Sequence, residues 1–66
     1  MNIILNGEPR PLPPNTGLNQ LLHELGLAQK RLAVEINLEI IPRSQYLQTE
    51  LKNGDRVEIV QAIGGG

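Results

Sequence analysis

Leu18, Leu21, Leu22 and Leu25 recur at i, i+3, i+4 and i+7 and so line one side of a short helix. A helix of this length is marginal by itself and must bury its stripe against another surface. The remaining periodic segments read as strands, so that surface has to be a sheet. The 66 residues give room for one domain, and a chain of that size buries only about 60% of the surface it exposes when unfolded. The expectation is one helix laid across one face of one sheet, with a small core and no enclosed catalytic cavity.

Thr16 stands where a helix N-cap belongs, and Gly26 stands where a helix end takes a left-handed residue. Ahead of the helix, Ile3-Ile4-Leu5 runs into Asn6-Gly7, a pair that tolerates positive φ and turns a hairpin. This predicts a strand over residues 2–6 and a return strand over 8–12. Pro9 and Pro11 cannot donate to a ladder, which puts the return strand at a sheet edge. After the helix, Leu32, Val34 and Ile36 alternate along a third strand, 32–36. Asn37-Leu38 is a turn, and residues 39–41 form a fourth strand closed by Pro42. Residues 43–51 are a connector with a turn of helix begun by Ser44. Asn53-Gly54-Asp55 signals another turn, and 56–62 is the last strand. The fold class is α+β: a mixed sheet of four to five strands with one main helix on one face. It occupies residues 1–63, followed by a glycine tail, 64–66.

Composition removes most functional classes. Six Lys+Arg against seven Asp+Glu leave a net charge of -1, so there is no basic stripe for nucleic acid. The single aromatic, Tyr46, makes no base-stacking platform. Without cysteine there is no disulfide, thiolate nucleophile or thiolate metal site. One histidine cannot form a ligand cluster, and His23 falls nearly opposite the leucine stripe, as a solvated residue would. Asp55 and Glu58 read as solvated charges rather than metal ligands. No signal peptide and no membrane span are expected, which makes a cytoplasmic protein the default.

What remains is the end of the chain. Glycines can pass through a narrow channel in backbone conformations closed to other residues. The α-carboxylate of Gly66 is ionised at neutral pH, with a reference pKa of roughly 3.5. It is a poor acyl donor until activated, for example as an acyl-adenylate. That activation needs ATP and a metal ion, and no residues here suit either, so a partner enzyme would supply both. Terminal glycines are also what a frayed end looks like. Two details favour a working tail: Gly64, Gly65 and Gly66 follow a strand with no polar spacer, and they end the sequence, as carboxyl chemistry requires.

The last strand adds a second signal. Val57 and Ile59 alternate with Arg56 and Glu58, core side against outer side. Val60 and Ala62 then continue the outer series as apolar residues. With Ile63, they form a candidate partner-docking surface beside the tail. Ile4, between the inward Ile3 and Leu5, joins them if the first and last strands are neighbours.

The segments Asn6-Gly7, Thr16 with Leu21-Leu22 and Leu25-Gly26-Leu27, Ala33-Val34-Glu35-Ile36-Asn37, Ile41-Pro42-Arg43-Ser44, and Gly54-Asp55-Arg56-Val57-Glu58-Ile59-Val60 running to Gly65-Gly66 together resemble a known family. The order of elements looks like the β-grasp of ubiquitin-like proteins. In detail the chain is similar to the ThiS family, the sulfur carriers of thiamin thiazole biosynthesis. The resemblance implies a carrier rather than an enzyme. The Gly66 carboxylate would be adenylated by a ThiF-like adenylyltransferase and converted to a thiocarboxylate. Sulfur would come from cysteine through a desulfurase and pass to a ThiG-like thiazole synthase. Gly64 and Gly65 would thread the partner's active site. Other readings stay open at this point. The small subunit of molybdopterin synthase would use the same tail, a protein-conjugating modifier would join it to lysines, and a plain interaction module would not need it.

Overall fold

The structure, a computed structural model, describes residues 1–61. The expectations placed on Ala62, Ile63, Gly64, Gly65 and Gly66, and the boundary between residues 63 and 64, lie outside the described residues.

Two strands open the chain, β1 (Asn2–Leu5) and β2 (Glu8–Pro11), followed by helix α1 (Leu18–Glu24). Strands β3 (Leu32–Ile36) and β4 (Glu39–Ile40), a 3₁₀ helix (Arg43–Gln48) and strand β5 (Arg56–Gln61) complete it. The strands form one sheet in the order β2-β1-β5-β3-β4. Only β1 and β5 run parallel; the other pairs are antiparallel. This five-strand mixed sheet with a helix on one face is the expected β-grasp.

The hairpin forms as its residues dictate. Asn6 and Gly7 take φ of 48° and 86°, the left-handed pair that matches the twist of the flanking strands. Because antiparallel pairs alternate between bonded and unbonded positions, the Met1–Leu12 bonds leave Pro9 and Pro11 with their nitrogens toward the open edge. The leucine stripe meets the sheet as expected: Leu18, Leu21 and Leu22 are fully buried against Ile3, Val34 and Val57. Gly26, at φ 73°, closes α1. Leu27 N–H donates to the Leu22 carbonyl and Gly26 N–H to that of His23, the paired bonds of a Schellman end.

Thr16 is not the cap. The N-cap is Gly17, without a side-chain bond, because Leu18 N–H is already taken by the carbonyl of Thr49 at 2.9 Å. The Thr16 hydroxyl instead donates to Pro13 O at 2.7 Å and is buried. The connector is also more than a connector. Its 3₁₀ helix starts after Pro42 rather than at a Ser44 cap, packs on α1, and places Tyr46 in the core.

Candidate functional site

β5 is where the sequence placed the candidate docking residues, because it is the strand that precedes the glycines. It is the central strand, flanked by β1 and β3. Val57 and Ile59 point into the core, while Arg56, Glu58 and Val60 are exposed on the sheet face away from the helix. Val60 keeps 63% of its surface in water. Opposite it on β3 is Ala33, also exposed. One step back, Glu58 faces Glu35, and Glu35 in turn faces Ile40 on β4. Ile40 is 74% exposed. On this face Val60, Ala33 and Ile40 therefore accompany two glutamates directly opposite each other, a pairing that does not help a sheet to form.

Ile4 lies on the same face, but opposite Arg56. Val60 is four residues further along β5, about 13 Å at the strand repeat, with Glu58 between. So β1 and β5 are neighbours, yet the structure does not bring Ile4 and Val60 together. Ala33, directly opposite on β3, is the adjacent apolar companion; Ile40 lies two strands across and two residues back, about 12 Å away at the strand spacing and repeat. Ala33 was legible from the alternation of β3, whereas Ile40 needed the β3–β4 register. Around Val60 and Gln61 lies a shallow depression of about 410 Å³, also lined by Arg31, Leu32, Ala33 and Arg43. It supplies a surface contour rather than an enclosed reaction chamber.

Two asparagines fix β5 along its length. At its start, Arg56 N–H donates to Asn37 Oδ1 at 3.0 Å, and Asn37 N–H donates to Arg56 O at 2.8 Å. Further on, Asn6 N–H donates to Val57 O at 2.9 Å, and Ile59 N–H donates to Asn6 Oδ1 at 2.8 Å. Asn6 Nδ2 then returns a longer bond, 3.3 Å, to Ile59 O. Asp55 is not simply solvated: its carboxylate accepts from Lys52 N–H at 2.8 Å and from Asn37 Nδ2 at 3.0 Å. His23 is exposed, as its helical position implied. Among the described residues no group of acidic or histidine side chains could hold a metal ion, and no helix is long and apolar enough to cross a membrane.

Residues 3–66 match the model of the ThiS family. The chain belongs to the ThiS family. Among its relatives is the sulfur carrier protein ThiS of Thermus thermophilus, 42% identical over 62 residues, covering 94% of this chain and 95% of that one. A thiazole synthase of Paramagnetospirillum magneticum is 46% identical over all 66 residues, which make up 20% of its length. The chain thus spans about a fifth of the length of the thiazole synthases it matches. The crystal structure of the thiamine biosynthesis protein ThiS from Geobacter metallireducens superposes with a TM-score of 0.84 at 35% identity, with both chains fully covered. ThiS membership, the β-grasp sheet and the open face of β5 all agree on one architecture. The ThiS match also runs through the terminal glycines, which the described residues do not include.

Proposed function

We propose that this chain is a sulfur carrier of thiamine biosynthesis that works through the carboxylate of Gly66. The observation that carries the reading is a family match extending from Ile3 to the last glycine, with a relative matched over 95% of its own length named as a sulfur carrier. In this reading a partner adenylyltransferase of ThiF type binds ATP and the metal ion. One carboxylate oxygen attacks the α-phosphorus and pyrophosphate leaves. The terminal sulfur of a persulfide, formed from cysteine by a desulfurase, then attacks the acyl carbon and AMP leaves; a thiol cleaves the resulting acyl disulfide, releasing the thiocarboxylate and leaving a disulfide on the donor. The net result is exchange of one carboxyl oxygen for sulfur.

The chain's own contribution is to be recognised and to deliver the tail. Val60, Ala33 and Ile40 form the docking face next to β5, with Ala62 and Ile63 continuing it in sequence. Gly64 and Gly65 supply a segment slim enough to thread an active site. A thiazole synthase of ThiG type is the proposed acceptor. Support for it comes from relatives named thiazole synthase that contain a stretch similar to this whole chain. The same observation favours the thiamine pathway over molybdopterin synthesis. The cycle is cytoplasmic in this reading.

The test is intact-mass measurement after incubation with the activating enzyme, ATP and a sulfur donor. The expected result is a mass gain of one oxygen-for-sulfur exchange, located at the C-terminus. A chain lacking Gly66 is expected to keep its fold and take up no sulfur. An unchanged wild-type mass under conditions that charge a known carrier refutes the reading, and a truncated chain that still gains sulfur refutes the site.

A further inference from the structure

The backbone pairing of β1 with β5 ends early. Its last register pair is Leu5 with Val57, after which the chain turns away at Asn6 and Gly7. On the opposite side, β3 accompanies β5 to the pair Leu32–Gln61. The final residues of β5 would therefore be held from one side only. Asn6 alters this. Its side-chain amide meets Ile59 as a strand residue would, accepting from Ile59 N–H at 2.8 Å and donating to Ile59 O at 3.3 Å. The side chain extends the β1 ladder by two residues without extending the strand.

We propose that Asn6 is a positioning residue for activation of the tail: by clamping Ile59 it fixes the direction in which β5 delivers the C-terminal residues to the activating enzyme. This rests on the carrier reading above. The physical reason is that a reacting group tethered to a rigid element is presented at higher effective concentration than one on a loose end. Docking and delivery are separate tasks here. Val60, Ala33 and Ile40 project from the sheet face, whereas the Asn6 amide lies in the ladder, acting on the strand itself. Loss of the clamp should therefore affect turnover more than recognition.

The fold contains its own control. Asn37 clamps the other end of β5 through Arg56. Like Asn6, it makes two side-chain hydrogen bonds, and both residues take a left-handed φ, 48° and 52°. Glycine suits that conformation at either position. Asn6→Gly and Asn37→Gly thus remove similar bonds and preserve both turns, one near the tail and one far from it.

The experiment measures ATP–pyrophosphate exchange catalysed by the activating enzyme with the full chain as substrate, alongside amide hydrogen exchange at Ile59. Asn6→Gly is expected to lower kcat about tenfold, the scale on which small misplacements of a reacting group are felt. KM for the chain should stay within about twofold, because the docking contacts are untouched. The Ile59 amide should exchange faster. Asn37→Gly should leave kcat at the wild-type value. Asn6→Asp retains the acceptor for Ile59 N–H but turns the contact with Ile59 O into one between two acceptors, and should recover only part of the lost kcat. Equal kcat for Asn6→Gly and wild type overturns the proposal. So does an equal fall in Asn6→Gly and Asn37→Gly, or a loss confined to KM. A wild-type chain that supports no exchange overturns the carrier reading, and this inference with it.

Discussion

Replacing Val60 by threonine separates docking from folding. Val60 is on β5 but contributes little to the core, with 63% of its surface in water. Full burial of a valine is worth about 1.5 kcal/mol, so the exposed part leaves about 1 kcal/mol to be gained when a partner covers it. Val60→Thr keeps the branched shape that suits a strand and exchanges one methyl for a hydroxyl. About half of the apolar gain is lost, and the buried hydroxyl adds roughly 1 kcal/mol of desolvation if the partner offers it no acceptor. The sum, about 1.5 kcal/mol, corresponds to about tenfold weaker binding. The dissociation constant for the activating enzyme, measured by titration calorimetry without ATP, should rise by that factor. The melting temperature should change by no more than a few degrees, since surface substitutions stay within about 0.5 kcal/mol. An unchanged dissociation constant would remove Val60 from the docking face. A large fall in melting temperature would show that the open face is structural, and the argument from exposure would fail.

Two further expectations concern the scaffold. Leu38 is 86% exposed with φ at 71°, in the second position of a turn that favours glycine. Leu38→Gly relieves left-handed strain of about 1–2 kcal/mol against a glycine entropy cost of about 0.5–1 kcal/mol. It should raise the melting temperature by a few degrees; a lower value would mean that Leu38 has a packing role. Leu21 is fully buried in the core, and Leu21→Ala should cost about 3 kcal/mol. For a domain this small that is a large share of total stability, readable as a lower urea midpoint; a loss under 1 kcal/mol would mean that the helix is not pinned to the sheet by its stripe.

The parts of the fold that depend on neighbouring residues were legible in the sequence. The leucine stripe, the Asn6-Gly7 hairpin, the proline-marked edge and Gly26 all act within a few positions, and each behaves as its chemistry requires. The parts that depend on distant residues were not. Thr16 has the right side chain for a cap, but the carbonyl of Thr49, 31 positions beyond Leu18, already meets the helix N-terminus. Tyr46 is buried because the 3₁₀ helix folds back onto α1, and no periodicity in that segment announced it. Ile4 and Val60 share a face, as alternation implied, while only the β1–β5 register showed how far apart they are. Asn6 and Asn37 read correctly as turn formers. That their amides also clamp β5 depends on a strand some 20 to 50 residues away.

These long-range effects meet on β5, and they bear on how so small a chain could be stable and, in the carrier reading, deliver a reactive end. A 66-residue domain cannot set aside a separate region for function. The same strand holds the core with Val57 and Ile59, leaves Val60 exposed for the proposed partner, and precedes the tail in sequence. Alternation makes this possible, because inward and outward residues on one strand can be selected independently. Placing β5 at the centre of the sheet gives it strand neighbours on both sides at its start, and Asn6 supplies a neighbour for Ile59 where β1 has ended. In the carrier reading proposed above, the chemistry falls to partners and the chain presents the group they act on. A substitution on the inward side of β5 should therefore fail through stability, one on the outward side through binding, and one in its clamp through delivery.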